Sequence, residues 1–347
     1  MSKRNGSQRP VDDEQTRQDT RSASAGIGVA RGQEMYLDSV ASRAVARAGR
    51  NPQIKGHVQE IMFVDKLNSN PIMRAQGVEA RLTRSTTAQT SDIVKVRPGK
   101  PGVVERIQIK DVTSEAGARQ LGKRIANGKY NRATMKASPE TIRQLQKTGA
   151  KCPKPVQSTG VSSDTSTRVA TRTGAKVRGN DLTRVVARDI GRASGNAALV
   201  SAGVQVVVDV VTGERNAKQI ATGAAHASGE AGAKTAAALS VRQGAIVAAE
   251  RVGSETIKKV VRGSGATTVI FAAVEQIADT GRLCAGTIDL DEYARRSGAN
   301  VGGSAAAYGG AVLGTAICPG IGTVIGGLVG GLAGSSLGRG LVKWFQE

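Results

Sequence analysis

The residue types that could do chemistry together are an aspartate, a glutamine and a lysine in the first half of the chain. Gln108 and Lys110 end a predicted strand over residues 103–110, and alternation places both on one face while the isoleucines of the strand take the other. Asp92 opens the preceding predicted strand, and residues 98–102, rich in Pro and Gly, predict a tight reversal. Because such a hairpin brings the start of one strand beside the end of the next, we expect Asp92, Gln108 and Lys110 to converge at one end of a sheet.

These side chains would suit the hydrolysis of a phosphodiester. A hard cation such as Mg2+ takes oxygen ligands and keeps several waters, so the Asp92 carboxylate, the Gln108 amide oxygen and a main-chain carbonyl could hold it. Lys110 could position or help deprotonate the attacking water and stabilise the charge that develops on the phosphate. The alternative is a solvated strand face on which Gln108 and Lys110 have no chemical role.

The segment that carries these residues reads as a mixed domain. Helix and strand patterns alternate over residues 51–150, in the order helix, three strands, helix, strand and helix. The helices are predicted over 54–67, over 113–127 and after the Ser138 cap, and the strands over 78–85, 91–97, 103–110 and 133–137. The predicted fold class is α+β, followed by an all-α region rich in Ala and Gly.

Asp92, the run Gln108-Ile109-Lys110 and Glu60 on the helix ahead of them resemble the PD-(D/E)xK nuclease superfamily in its Q-x-K variant. The resemblance implies a restriction-endonuclease-like αβββαβ domain and a Mg2+- or Mn2+-dependent reaction. It implies Asp92, Gln108 and Glu60 as metal ligands and Lys110 as the catalytic lysine. The chain departs from the family pattern at two positions, because Ser91 stands where a proline is usual and Gln108 replaces an acid.

Charge and composition favour a polyanionic partner. The chain of 347 residues has a formal net charge of +21, and residues 51–155 contain 20 Lys and Arg against 8 Asp and Glu. Only eight residues are Phe, Trp or Tyr, which argues against recognition of bases by aromatic stacking and against an aromatic-rich sandwich or propeller. The partner is therefore nucleic acid or an anionic membrane surface, and the nuclease resemblance favours DNA.

A run of basic residues follows the strand that holds Lys110. These residues could contact backbone phosphates without reading sequence, the alternative being a solvated helix face. The candidates are Arg119, Lys123, Arg124, Lys129, Arg132 and Lys136.

The segments outside residues 51–150 differ in composition. Residues 1–28 are polar and predicted to be disordered, residues 29–50 an amphipathic helix, and residues 151–180 a linker rich in Ser, Thr and Gly. Residues 181–347 are predicted to be helical. No apolar stretch follows the basic residues at the N-terminus, so we expect cytoplasmic synthesis without a secretory signal.

The tail from residue 297 to residue 338 contains no charged residue and carries a small residue at nearly every fourth position. Pro319 divides it into two arms, each long enough as a helix to cross a bilayer, so a hairpin that associates with a membrane or with a second copy is predicted. The tail resembles glycine-zipper hairpins of bacterial membrane-associated and toxin-like proteins, and the alternative is a soluble helical hairpin. The residues assigned to the hairpin are Gly302, Gly310, Gly314, Pro319, Gly322, Gly326, Gly330 and Gly334.

Two functions remain open from the sequence. One is a metal-dependent DNA endonuclease, joined to a membrane-active or self-associating hairpin in a bacterial or phage defence or toxin effector. The other is a membrane-associated protein without enzymatic activity, whose basic domain tethers nucleic acid.

Overall fold

The computed structural model describes residues 9–51, 53–84, 91–150, 152–175, 182–212, 217–252 and 255–317, together with positions 322, 325–327, 329, 330, 333 and 334. The chain divides into two compact units. The sheet unit contains the described part of residues 37–189. The helical unit contains the described parts of residues 9–36, 190–317 and 321–347. The fold is thus mixed α+β with a helical C-terminal region, as predicted.

The sheet unit has the elements that the sequence predicts, with three additions. The added elements are a short helix before the first strand, a fifth strand and a helix after it. In chain order the unit contains the end of α1 (Arg9–Ala48), α2 (Ile54–Asn68), α3 (Pro71–Ala75), β1 (Glu79–Leu82), β2 (Ile93–Val96), β3 (Glu105–Lys110), α4 (Glu115–Ala126), β4 (Thr134–Ala137), α5 (Pro139–Lys147), β5 (Gln157–Ser158) and α6 (Ser163–Arg172).

The sheet begins as an antiparallel meander and continues with parallel strands. The strand order is β1-β2-β3-β4-β5, with antiparallel pairing up to β3 and parallel pairing beyond it. α4 connects β3 to β4, as a parallel pair requires a crossover. Ser138 follows β4 directly and caps α5, because its hydroxyl accepts a hydrogen bond from the backbone N–H of Thr141.

Both faces of the sheet are covered. Ile107 and Ile109 of β3 belong to an apolar cluster that includes Phe63 of α2. Met135 of β4 belongs to a second cluster built with Leu121 of α4 and other residues of α4 and α5. The sheet is therefore the middle of three layers, and side chains on either face of β3 can be buried.

Two segments differ from their predicted structure. Residues 9–28 were expected to be disordered, and the structure includes them in α1, where Ala25 and Ile27 are buried. Residues 151–180 were expected to be a linker, and they contain β5 and α6, with the intervening Val161 accepting a hydrogen bond from Gln59 of α2 at 3.2 Å. Both differences arise because polar or small residues are buried through contacts with distant segments, which composition alone does not reveal. Residues 1–8 and 176–181 lie outside the described residues.

The helical unit consists of long helices. Besides residues 9–36 of α1, it contains α7 (Leu182–Thr212) from residue 190, α8 (Ala217–Val252), α9 (Glu255–Arg262), α10 (Ser264–Cys284) and α11 (Leu290–Ile317). Over the residues described, no helix has both the length and the apolar character needed to cross a membrane.

Described positions of the tail pack against α11 at their glycines. A β-carbon added to Gly310 would overlap the carbonyl oxygen of Gly326, and one added to Gly330 would overlap that of Ala306. Gly334 makes the same kind of contact with the carbonyl of Gly302. From one contact to the next, the residue number falls by four on α11 and rises by four on the second arm. The two arms therefore pack antiparallel in register.

The remaining hairpin residues are placed as follows. Gly314 lies in α11 with Gly302 and Gly310, Gly322 is a described position of the second arm, and Pro319 lies outside the described residues.

Candidate functional site

Asp92 lies immediately before β2 and is tied to β3 by both its main chain and its side chain. Its backbone N–H donates to the carbonyl of Ile107 at 2.9 Å. Its Oδ2 accepts a hydrogen bond from the backbone N–H of Ile109 at 2.7 Å and another from the side-chain amide of Gln108. The carboxylate is therefore held against the end of β3.

Gln108 is buried, so the alternative of a solvated strand face does not hold for this residue. It is paired in register with Met135, which lies under α4 and α5, and paired residues share a face of a sheet. Only 2% of Gln108 is exposed, and its Oε1 is buried without a hydrogen-bond partner. A buried oxygen left without a donor costs free energy, so this atom needs a ligand such as a cation or a water.

Lys110 lies beside Asp92 at the same end of the sheet. Its Nζ is 4.0 Å from Oδ2 of Asp92 and 5.5 Å from the centre of the Tyr130 ring. Burial lowers the pKa of Lys110, while the carboxylates of Asp92 and Glu60 act in the opposite direction. The ammonium is thus held by a carboxylate and an aromatic face in a partly dehydrated place.

The pKa of the Asp92 carboxyl is also shifted from its ordinary value. Burial raises its pKa, the Lys110 ammonium and the hydrogen bond from Ile109 oppose the rise, and the Glu60 charge adds to it. An acid with a raised pKa beside a lysine with a lowered pKa is a combination that is enriched at functional sites.

Glu60 reaches this end of the sheet from α2. Its Oε2 lies 3.2 Å from Nδ1 of His57 and 3.7 Å from Nε of Arg47. Arg47 also donates to the carbonyl of Thr83 at 2.8 Å, and the N–H of Thr83 donates to the carbonyl of Asp92 at 3.0 Å. Glu60 is therefore connected to the same strand end, and its charge acts on the pKa of both Asp92 and Lys110.

Asp92, Gln108 and Lys110 are thus brought together at the start of β2 and the end of β3, and Glu60 of α2 is near enough for its charge to act on Asp92 and Lys110. Among the described residues, no group of three or more His, Cys, Asp or Glu side chains is arranged to hold a metal. The oxygen donors at this site are the carboxylates of Asp92 and Glu60 and the amide of Gln108. This set suits a hard cation that keeps several waters, and the unpartnered Oε1 of Gln108 is the atom that such a cation would satisfy.

Two of the candidate basic residues lie near Lys110. Arg124 and Lys129 are exposed, and the charge of each lowers the pKa of Lys110. They therefore place positive charge at the surface around the buried site, where a phosphate backbone would be attracted.

Lys136 lies on the opposite face of the sheet from Lys110, although both belong to the predicted run. It pairs in register with Ile109, and its ammonium contacts Gln157. Burial is the main cause that lowers its pKa, and the charges of Lys95 and Lys66 lower it as well. The predicted run is thus divided between two faces, because a strand alternates its side chains.

The other three candidates are exposed, and one of them is paired. Arg119 forms an ion pair of 2.5 Å with Glu115 one turn earlier on α4. Lys123 and Arg132 are also exposed.

Sequence reasoning missed the residues that surround the site. Tyr130 approaches Lys110 from the loop after α4, and Arg47 reaches Glu60 from α1. No sequence pattern indicates either contact, because each residue lies on a different element from its partner.

Comparison with known proteins identifies only the tail. A family model described as C13G5.2-like, glycine zipper domain matches residues 291–341. No curated protein and no solved structure gave a significant match to the chain. The C-terminal segment is therefore similar to glycine zipper domains, in agreement with the antiparallel glycine contacts between its two arms.

Proposed function

We propose that the sheet unit is a metal-dependent DNA endonuclease of the PD-(D/E)xK superfamily in its Q-x-K form. The convergence of Asp92, Gln108 and Lys110 at one end of the sheet, together with the buried and unpartnered Oε1 of Gln108, is the observation that carries the proposal. The meander β1-β2-β3 followed by a parallel β4, with a helix acid at Glu60, supports it as well.

Each residue of the site has a role that follows from its functional group. Asp92, Gln108 and Glu60 would hold Mg2+ or Mn2+, which when bound supplies Lewis-acid stabilisation of charge on the phosphate. The lowered pKa of Lys110 increases the share of its neutral amine, which can accept a proton from the attacking water. In its charged form, Lys110 stabilises the negative charge that develops on the phosphate oxygens.

Arg124 and Lys129 supply the contacts that bring a duplex to this site. Both side chains are exposed and lie near Lys110, so they can pair with backbone phosphates on either side of the scissile bond. Because such contacts carry no sequence information, binding is expected to depend strongly on salt and weakly on sequence.

Cleavage of a supercoiled plasmid by the full chain tests the proposal. We expect nicked or linear DNA with Mg2+ or Mn2+ and none with EDTA. Lys110→Met should reduce the cleavage rate by about 10²- to 10⁴-fold, the range for loss of a group that transfers a proton. Lys95→Met is the matched control, since Lys95 pairs with Glu105 on the same sheet at 2.6 Å and should keep its rate.

Two results would contradict the proposal. Metal-dependent cleavage that survives Lys110→Met would remove the site assignment. Salt-sensitive DNA binding without cleavage under either metal would favour the second function, in which the basic unit only tethers nucleic acid.

The combined variant Arg124→Gln and Lys129→Gln should weaken DNA binding in EDTA. Each lost phosphate contact lowers the slope of log K against log salt by about 0.9, so the slope should fall by about 1.8. Lys136→Gln is the control, because that residue lies on the other face of the sheet. An equal loss of slope in the control would show that the duplex does not bind near Lys110.

A further inference from the structure

The ammonium of Lys110 has two competing partners at the end of β3. Its Nζ lies 4.0 Å from Oδ2 of Asp92 and 5.5 Å from the centre of the Tyr130 ring. The distance to Asp92 is longer than a hydrogen bond, which spans about 2.7–3.2 Å between the heavy atoms. The ammonium is therefore close to the carboxylate without being hydrogen-bonded to it.

Direct pairing with Asp92 would conflict with the role proposed for that carboxylate. Its Oδ2 already accepts hydrogen bonds from the backbone N–H of Ile109 and the side-chain amide of Gln108. If the ammonium of Lys110 moved onto this carboxylate, it would occupy an oxygen donor that a hard cation requires. Opposite charges attract strongly in a buried place, so a second partner is needed to hold Lys110 away from Asp92.

Tyr130 is fixed in position by its surroundings. It lies in the turn after α4, where its carbonyl accepts a hydrogen bond from the backbone N–H of Ala133 at 3.1 Å. Its side chain is 8% exposed and belongs to the apolar cluster that contains Leu121 and Ile125 of α4 and Met135 of β4. The ring is thus held by its packing, and its face is available to the ammonium before a metal or a substrate binds.

An aromatic ring can hold an ammonium without competing for the metal. The face of the ring carries a partial negative charge, and it attracts a cation most strongly where water is excluded. Burial lowers the pKa of Lys110, so its ammonium lies in such a partly dehydrated place. The attraction corresponds to about a 2- to 30-fold change in the equilibrium between two positions of the ammonium.

We propose that Tyr130 is a positioning residue that holds the Lys110 ammonium apart from Asp92, so that the Asp92 carboxylate stays free to bind a divalent cation. The inference rests on the proposed function and deepens it, because it assigns a role to a residue outside the set of metal ligands. The alternative role for Tyr130 is packing alone. The two roles differ in one respect, since only the positioning role depends on Lys110.

Binding of Mn2+ to the full-length chain without DNA, measured from the electron paramagnetic resonance signal of the free ion, tests the inference. Tyr130→Phe should bind Mn2+ as the wild type does, because it keeps the ring face. Tyr130→Leu should bind about 2- to 30-fold more weakly, because the ammonium then pairs with Asp92 and the competent state is less populated. Leu121→Ala is the matched control, since it truncates the same apolar cluster and should keep the Mn2+ affinity.

The same comparison in the Lys110→Met background separates positioning from packing. Tyr130→Leu should leave the Mn2+ affinity unchanged there, because no ammonium remains to be held. A loss of affinity of the same size in both backgrounds would overturn the inference and leave Tyr130 with a packing role. Equal affinity of the wild type and Tyr130→Leu would overturn it as well.

Substitution of Tyr130 by a trifluorinated phenylalanine tests the same step without opening a cavity in the cluster. Fluorine withdraws electron density from the ring face and so weakens its attraction for an ammonium, while the ring still fills its place. Compared with Tyr130→Phe, this substitution should lower the Mn2+ affinity of the chain that contains Lys110 and should have no effect with Lys110→Met. Equal affinity of the two ring variants in the presence of Lys110 would contradict the inference.

Nuclear magnetic resonance of the chain labelled with 13C at the lysine ε-carbon distinguishes this inference from the proposed function. The Lys110 signal, assigned by its loss in Lys110→Met, should lie upfield through the ring current of Tyr130 and lose this shift in Tyr130→Leu. A wild type that binds Mn2+ without this shift would overturn the inference alone. A wild type that shows the shift but binds no Mn2+ would overturn the proposed function, and with it the role of Tyr130 in metal binding.

Discussion

Asp92→Asn is expected to abolish metal-dependent DNA cleavage and, at the same time, to make the folded chain more stable. Cleavage should fall by about 10³-fold, since the carboxylate is one of the oxygen donors at the site and also positions the Lys110 ammonium. The asparagine oxygen can still accept the hydrogen bonds from Ile109 and Gln108, so the end of β3 keeps its geometry.

The gain in stability follows from the raised pKa of Asp92. Because the folded state holds the proton of this carboxyl more tightly than the unfolded state, ionisation of Asp92 costs stability as the pH rises through its folded pKa. At pH 7 the variant avoids this cost, so we expect its free energy of unfolding to exceed that of the wild type. The advantage should shrink as the pH is lowered and disappear below the ordinary pKa of 3.8, where the carboxyl is protonated in both the folded and the unfolded state.

Thermal unfolding with and without Mg2+ measures this prediction apart from activity. The Tm of the wild type should rise with Mg2+, and the Tm of Asp92→Asn should start higher and respond less. Glu79→Gln is the control, because Glu79 is an exposed carboxylate of β1 paired with Arg81 at 2.8 Å and should change neither Tm nor cleavage appreciably. A variant that is less stable than the wild type at pH 7, with Mg2+ response intact, would contradict a metal-binding role for Asp92.

Arg172→Met is expected to destabilise the sheet unit by about 3–5 kcal/mol. Arg172 of α6 pairs with Asp38 of α1 at 2.9 Å, and the two side chains are 2% and 4% exposed. Removal of the guanidinium takes the ion partner from a buried carboxylate, whose desolvation is then no longer offset by that charge.

Hydrogen exchange of the full chain, resolved by peptide, measures the effect where it occurs. Protection of the α6 amides should fall by about 10²- to 10⁴-fold. The double variant Asp38→Asn with Arg172→Met should recover much of this protection, since it removes both charges together. Arg81→Met, which breaks an exposed pair, should change exchange little, and an equal loss of protection in that control would show that α6 does not depend on its buried pair.

The elements around the site were predictable because their signals are local. The alternation in β3, the Pro and Gly residues of 98–102 and the Ser138 cap each lie within a few residues of the structure they specify. These signals also place Asp92 beside the end of β3, since a short hairpin leaves one arrangement for its two strands.

The parts that sequence reasoning missed depend on pairs of residues far apart in the chain. α6 has a composition typical of a linker, yet Arg168 pairs with Asp189 and Arg172 with Asp38, so its polar face is buried. Tyr130 and Arg47 likewise reach Lys110 and Glu60 through tertiary contacts. No short window of sequence contains both partners of any of these contacts.

The sequence by itself determined the order of the elements from α2 to α5 apart from the short α3, the α+β class, the basic character and the glycine-zipper tail. Periodicity, turn residues and composition are properties of contiguous residues, and a chain carries them before it folds. Only the tertiary structure decided that Gln108 is buried with an unpartnered oxygen, that Lys136 faces away from Lys110, and that α10 turns its acidic residues inward. Each of these depends on which distant segment covers a given face, because the cost of burying a polar atom is set by the partners that the fold supplies.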